Sequence, residues 1–265
     1  GQVFGWSKGE AVITVSTTSG LSAQCTVTVT GEPSVQDPDK TATVTDGYAS
    51  NNHSLNDYAI WSKTVNSYLI PNADGTFTRV EHCGGKMIVE NYSAAGKKTG
   101  SKTVAMELSL FGGFYSGSDH NYFVFGQANP NDSDEEVMRI VKYSKDFQRI
   151  GAVSVYGANT NIPFEAGSLR MTETAGKLYI HTCHEMYTDS DGLNHQANMT
   201  FVINENDMSV EQSYYDVLNL AQAGYVSHSF NQFIQTDGEN IYRVDHGDYA
   251  PRGIALIKSQ VGGSI

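Results

Sequence analysis

The sequence predicts an all-β fold made of repeated antiparallel units, and three observations support that prediction. The chain of 265 residues is rich in Tyr (15), Phe (11) and Gly (26), which is typical of strands joined by turns. No window shows the apolar spacing of three and four residues that an amphipathic helix requires. Short stretches of alternating polar and apolar residues recur instead, separated by Asp-Gly and similar turns.

Composition restricts the partners of the chain. The net charge is −12, whereas a nucleic-acid-binding surface needs basic patches to neutralise phosphates. The same charge disfavours an electrostatic hold on anionic lipid, and no apolar run reaches the length of a membrane span. We therefore expect no nucleic acid and no membrane insertion. The three cysteines, Cys25, Cys83 and Cys183, are expected to be free buried thiols in separate strands.

Residues 1–31 form a small β unit of their own. The segments AVITVST and AQCTVTVT alternate strictly around a turn at 18–22. Together, GEAVITVSTTSG and AQCTVTV resemble the C-terminal half of a bacterial immunoglobulin-like domain of group 2. That family supplies spacer or adhesion modules to exported bacterial proteins. The resemblance implies a partial Ig-like domain, N-terminally truncated, on an extracellular protein of the bacterial cell surface.

A linker is predicted at residues 32–40. The stretch GEPSVQDPDK holds two prolines and several acidic residues, and it lacks apolar periodicity. The boundary separates the N-terminal unit from a domain over residues 41–265.

Residues 41–265 contain a repeated string. Asp74-Gly75 is followed by an aromatic strand and Arg-Val-Glu-His82, and Asp237-Gly238 is followed by Arg-Val-Asp-His246. A third copy spans 173–184 and a fainter fourth spans 118–127, at intervals of about 45 to 63 residues, near the period of propeller repeats. Because another apolar strand follows each copy, we predict a β-propeller-like domain of antiparallel blades, with about four repeats seen. A β-sandwich is the alternative.

The histidines of the third repeat are the first candidates for chemistry. His181, His184 and His195 lie between residues 172 and 204, with Glu185 among them. Alternate residues of a strand face opposite sides, so His181 and His184 are expected on opposite faces. This splitting disfavours a zinc site, and we expect no cofactor.

An acidic loop follows in the same repeat. Asp189 and Asp191, with Gly192 after them, have the opening spacing of a calcium loop but lack its bidentate Glu. An ordinary solvated hairpin turn is the preferred interpretation, and a weak calcium site is the alternative.

Six residues define the predicted binding surface, because their strands leave the repeats just before variable loops, where recognition usually resides. They are His184, Glu185, His195, His228, His246 and Arg252. Asp245 could orient the His246 imidazole, and Arg252 could pair with a carboxylate or sulfate. The loop aromatics Phe114, Tyr115, Tyr187 and Tyr249 could stack on sugar rings.

The predicted function is non-catalytic binding of a glycan or a protein, with adhesion as its role. One alternative is a propeller enzyme acting on a polysaccharide or sulfated ligand, with His181, His184, His228 and His246 around a pocket. The other is a purely structural repeat module. No phosphate loop, nucleophile elbow or dinucleotide fingerprint favours a further enzyme class.

Overall fold

The computed structural model describes residues 9–30, 64–165, 167–217, 219–220, 225–226, 229–247 and 253–265. Within these ranges all regular secondary structure is β-strand, and every strand pairing is antiparallel. The described residues contain no helix long and apolar enough to cross a membrane. The chain divides into two compact units, Gly1–Thr43 and Val44–Ile265. The predicted linker at 32–40 lies outside the described residues, so its position stays a prediction.

The first unit consists of one described hairpin. Its strands are β1 (Gly9–Ser16) and β2 (Ser22–Val29), close to the predicted segments. Nearly every residue of the hairpin is exposed, including Cys25, so the expectation of a buried thiol there was wrong. Only two strands are described, and a hairpin this exposed has no packed face to bury an apolar side chain.

Two four-stranded meanders begin the second unit. The first sheet has the order β3 (Ser67–Pro71), β4 (Phe77–Cys83), β5 (Lys86–Tyr92), β6 (Lys98–Val104). The second sheet has the order β7 (Leu110–Ser116), β8 (Asn121–Gly126), β9 (Glu136–Tyr143), β10 (Arg149–Tyr156).

The remaining strands build two larger sheets and one short ribbon. The third sheet comprises β11 (Ile162–Pro163), β12 (Arg170–Thr174), β13 (Lys177–Thr188), β14 (Asn194–Asn204) and β15 (Val210–Tyr214). Both β11 and β12 pair with β13, at different points along it. The ribbon is β16 (Asn219–Leu220) with β17 (Tyr225–Val226), and the fourth sheet is β18 (Ser229–Thr236), β19 (Asn240–Gly247) and β20 (Gly253–Gln260).

Neighbouring sheets pack face to face, as the blades of a propeller do. The second sheet shows this most clearly, because all six residues of its strand β8 are buried. Phe123 and Phe125 join a core shared with the first sheet, whereas Tyr122 and Val124 join a core shared with the third. A smaller core, including Tyr179 and Ile234, joins the third and fourth sheets. Meanders packed in this succession confirm the predicted all-β, propeller-like fold.

The repeated string marks one strand per sheet and the turn before it. Asp74-Gly75 and Asp237-Gly238 both lie in the turn between the first and second strands of a sheet, and both glycines have positive φ (82° and 95°). The second and third strands of each sheet match the predicted ones. The first strands, β3, β7, β12 and β18, carry no repeated motif and were not predicted.

Candidate functional site

Of the three described side chains in the predicted binding surface, His184 lies deepest. It is fully buried on β13, where its Nδ1 lies 2.7 Å from Thr160 Oγ1. The Thr160 hydroxyl donates its hydrogen to the Ala158 carbonyl (2.9 Å), so the imidazole Nδ1 is the donor to Thr160. Burial lowers the pKa of His184 to about 4, which keeps the ring neutral. A ligand at the surface cannot reach this ring.

Glu185 and His195 take part in contacts within the third sheet and its hairpin loop. Glu185 Oε1 accepts hydrogen bonds from Asn161 Nδ2 (2.9 Å) and Asn194 Nδ2 (3.0 Å). The His195 Nε2 atom lies 2.8 Å from Asp191 Oδ2, in a pair that is 43% and 48% exposed. The exposed side chains of His195 and Asp191 are therefore the part of this cluster that a ligand can contact.

The side chains of the other three members of the predicted surface lie outside what the structure describes. His228 and Arg252 lie outside the described residues, and His246 is described only as a position on β19, paired with Asn231 and Ile254. The predicted surface therefore stays a prediction, and His195 is its one exposed member among the described side chains.

The acidic loop is held as a turn by its own carboxylates. Asp189 Oδ1 accepts the Ser190 N–H (2.6 Å), and Asp191 Oδ1 accepts the Leu193 N–H (2.9 Å). Gly192 supplies the positive φ of 80° that the turn requires. Among the described residues no group of three His, Cys, Asp or Glu side chains is placed to hold a metal ion.

His181 belongs to a buried polar network between the third and fourth sheets. Its Nε2 lies 2.8 Å from Asp245 Oδ1, and its Nδ1 lies 2.9 Å from Thr200 Oγ1. Asn198 Nδ2 donates to the other Asp245 oxygen (2.9 Å), and Gln232 Nε2 donates to Asn198 Oδ1 (3.0 Å). Asp245 thus orients His181, whereas the side chain of its neighbour His246 lies outside what the structure describes. Every side chain in this network is at least nine-tenths buried, so the network holds the third and fourth sheets together.

The contacts of His181 and His184 confirm that the two rings face opposite ways. His181 meets Asp245 of the fourth sheet, whereas His184 meets Thr160 in the segment that follows the second sheet. A shared metal site on β13 is excluded by this arrangement.

A cavity of about 490 Å³ lies where the first strands of three sheets approach one another. Residues 68–71 of β3, 114–116 of β7 and 169–171 around the start of β12 line it, together with Val65. We call it the inner cavity. The unpredicted strands β3, β7 and β12 therefore build this cavity.

Aromatic and cationic groups give the inner cavity its chemistry. The Tyr68 hydroxyl accepts the Phe114 N–H (3.2 Å), and the Tyr68 ring meets the Phe114 ring edge-on at 5.3 Å. Burial raises the pKa of Tyr68 to about 12, against the opposing effects of that hydrogen bond and of the Arg170 charge. Tyr68 therefore remains protonated and keeps one hydrogen to donate.

Arg170 enters the cavity from β12. Its Nη1 donates to the Leu169 carbonyl (3.0 Å), and its guanidinium lies 5.5 Å from the centre of the Phe233 ring. Phe233 belongs to β18 and is 48% exposed, so the fourth sheet borders the same space. Ser116 of β7 also lines the cavity, and its Oγ accepts a hydrogen bond from Lys145 Nζ (2.9 Å).

The loop aromatics have divided roles. Tyr115 lines the inner cavity, while Phe114 is buried behind it. The Tyr187 hydroxyl lies 2.5 Å from the Asn129 carbonyl oxygen and 2.8 Å from that of Thr160, so it donates its one hydrogen to this carbonyl pair and fixes a loop. Tyr249 lies outside the described residues.

Comparison with known proteins gives structural similarity only. No protein-family model matches the chain, and no curated protein matches it. Among solved structures, an ACO/RPE65 chimera has a TM-score of 0.42 at 13% identity, covering 80% of this chain and 54% of that one. The α-L-arabinanase of Penicillium chrysogenum complexed with arabinobiose has a TM-score of 0.44 at 11% identity, covering 74% and 62%. An endo-1,4-β-xylanase from Bacteroides thetaiotaomicron has a TM-score of 0.42 at 12% identity, covering 74% of each chain.

This chain thus spans little more than half of the first protein and about three-fifths of the second. At these scores and identities the similarities assign neither an activity nor a substrate to it.

Proposed function

We propose that the second unit is a glycan-binding module and that the inner cavity is its binding site. The observation that supports this proposal is the cavity itself, whose volume of about 490 Å³ falls within the range of roughly 300–1,000 Å³ usual for small-ligand pockets. It combines apolar walls with a few polar groups, which is the common composition of such pockets. Tyr68 and Tyr115 offer ring surface for stacking, and Arg170 offers hydrogen-bond donors.

Binding at this place also agrees with the charge of the chain. A net charge of −12 gives no general attraction for a polyanion, so affinity has to come from local stacking and hydrogen bonds. Half-buried tyrosines serve this purpose at little entropic cost, because each has only two side-chain torsions to fix.

A glycan array tests the proposal. The wild-type unit should retain a defined set of oligosaccharides, and Tyr115→Ala should lose them. Tyr156→Ala is the matched control, because Tyr156 is 57% exposed on β10, outside the inner cavity, and its loss should leave the array pattern unchanged. Retention of no glycan by the wild type, or equal loss in both variants, would overturn the proposal. Capture of a protein by the same cavity would favour the protein-binding reading instead.

Polysaccharide hydrolysis is the second candidate function, because a carboxyl pair lies beside the cavity. Glu205 lies near Glu173, and burial followed by the nearby Glu173 charge raises the pKa of Glu205. Tyr115 contacts the Glu173 backbone, which ties the pair to the cavity wall. A raised carboxyl pKa suits a general acid, but neither Glu173 nor Glu205 lines the inner cavity where the glycan is proposed to bind. Binding without turnover is therefore preferred.

Reducing-end release separates the two candidates. The wild type should bind its array ligands without releasing new reducing ends during prolonged incubation. Release that Glu205→Gln abolishes would establish the enzyme and replace the binding proposal.

We further propose that the protein is exported to a bacterial cell surface, in keeping with the resemblance of residues 9–30 to surface-protein modules. Protease treatment of intact cells expressing the native gene should remove the protein. Protection until the cells are lysed would contradict this location.

A further inference from the structure

Arg170 differs from three other arginines of the described chain in its electrostatic partners. Arg79, Arg139 and Arg149 each form an ion pair with a carboxylate. Their nitrogen–oxygen distances are 3.0 Å to Glu90, 3.3 Å to Glu107 and 2.7 Å to Glu107, respectively. Arg170 has no carboxylate partner among the described residues, and its observed contacts are the Leu169 carbonyl and the Phe233 ring.

The position of Arg170 makes this lack of a counter-charge informative. Its side chain is half-buried at the inner cavity rather than spread over the surface, where water would screen it. A charge removed from water is costly unless it is paired, and a cation–π contact offsets only part of that cost. A half-buried guanidinium in a chain that carries 29 acidic residues is therefore best explained by a partner that enters the cavity.

The contacts of Arg170 also hold it ready for that partner. The Leu169 carbonyl engages one of its five N–H groups, and the Phe233 ring supports one face of the guanidinium plane. A planar group fixed in this way loses little entropy when it binds a carboxylate or sulfate through two parallel hydrogen bonds.

The lining of the cavity does not supply a competing negative charge. It contains no Asp or Glu side chain among the described residues. Glu173 and Glu205 act electrostatically on Tyr115, but neither lines the cavity. Tyr68 remains a neutral hydrogen-bond donor.

We propose that the inner cavity selects acidic glycans, with Arg170 as the counter-charge for a carboxylate or sulfate on the sugar. This inference rests on the proposed glycan-binding function and adds the ligand class. Tyr68 and Tyr115 supply contact with the sugar rings, and Arg170 supplies the preference for an anionic substituent.

The test uses an array that carries neutral, uronate-bearing and sulfated oligosaccharides of matched backbone and length, such as galactan, galacturonan and sulfated galactan. The wild type should retain acidic members over neutral ones, and Arg170→Met should weaken that retention by about tenfold or more, because charge-assisted hydrogen bonds are lost. The effect should shrink as salt is raised. Arg149→Met is the matched control, since it removes the same charge from an exposed ion pair outside the cavity.

The outcomes are separable. Preference for uronates over sulfated members, or the reverse, identifies the anionic group. Equal binding of neutral and acidic members by both wild type and Arg170→Met would overturn the acidic preference and leave glycan binding intact. Retention of nothing on the array would overturn both proposals. If Arg170→Met melts well below the wild type, Arg170→Lys, which keeps the charge, should fold and retain part of the acidic preference; complete loss there would also count against the charge role.

Discussion

The inner cavity and the buried polar network around His181 lie side by side on one face of the third sheet, and the charged groups in them have different partners. Arg170 and His181 are directly paired residues of β12 and β13, so both side chains leave the sheet on the same face. His181 meets a carboxylate from the fourth sheet and is sealed, whereas Arg170 meets an aromatic ring and the cavity. Hydrogen-bonded polar groups stabilise the packing of the two sheets, whereas a half-buried charge without a carboxylate partner is the basis for the proposed ligand site.

Removal of Asp245 should give the largest effect on stability. Asp245→Ala leaves His181 Nε2 and Asn198 Nδ2 without their buried acceptor, and breaking such a pair costs about 3–5 kcal/mol of unfolding free energy. Urea denaturation followed by fluorescence measures the loss. A variant within about 1 kcal/mol of the wild type would show that the network contributes little to holding the two sheets together.

Acid should destabilise the protein through His184. Because burial lowers its folded pKa from 6.5 to about 4, the unfolded state binds the proton first as pH falls, and stability is lost between those two values. The loss approaches about 1.4 kcal/mol per pH unit within the window. The comparison is with His184→Gln, whose amide can still donate to Thr160 but does not titrate. Parallel curves for the two proteins between pH 6.5 and pH 4 would contradict the assignment.

Removal of the Tyr68 hydroxyl should have a moderate effect on stability and on glycan retention. Tyr68→Phe removes the acceptor for the Phe114 N–H, so unfolding free energy should fall by about 1 kcal/mol. It should also weaken glycan retention, because one donor leaves the cavity. Tyr156→Phe, at an exposed position, is the control and should change neither quantity; an unchanged Tyr68→Phe would remove that hydroxyl from the site.

Removal of the exposed His195–Asp191 pair should have the smallest effect on stability and on glycan retention. His195 and Asp191 have the same 2.8 Å separation as His181 and Asp245, but water and salt screen them. Asp191→Ala should leave the unfolding curve unchanged, and His195→Ala should leave glycan retention unchanged. Loss of retention in His195→Ala would move the binding site to the hairpin loop that the sequence suggested.

Local patterns in the sequence predicted the strands that carry them. The Asp-Gly turns before β4 and β19, the Ala-Gly turn before β13 and the alternation after each turn located these strands, because turn formation and strand facing depend on neighbours in the chain. The first strands lack such marks. SYLIP and RMTET are short, and their apolar residues meet different sheets, so nothing periodic distinguishes them.

The same limitation explains which site residues were missed. Arg170 was missed, although it stands a few residues before the third copy of the repeated string, as the predicted Tyr115 stands before the fourth. That recurring position was the signal that could have identified the cavity wall. The role of His181 had no such signal, because its partner Asp245 lies 64 residues away and reaches it only through the packing of two sheets.

The most direct test of the central claim is a nuclear magnetic resonance titration of the isotope-labelled protein with a galacturonan hexasaccharide. Binding in the inner cavity predicts shifts of the backbone amides of Tyr115, Arg170 and Phe233, and of the Arg170 side-chain Nε–H, while the amides of Glu185 and His195 stay in place. Shifts confined to the hairpin of Glu185 and His195, with the Arg170 signals unmoved at saturation, would contradict the inner cavity as the binding site.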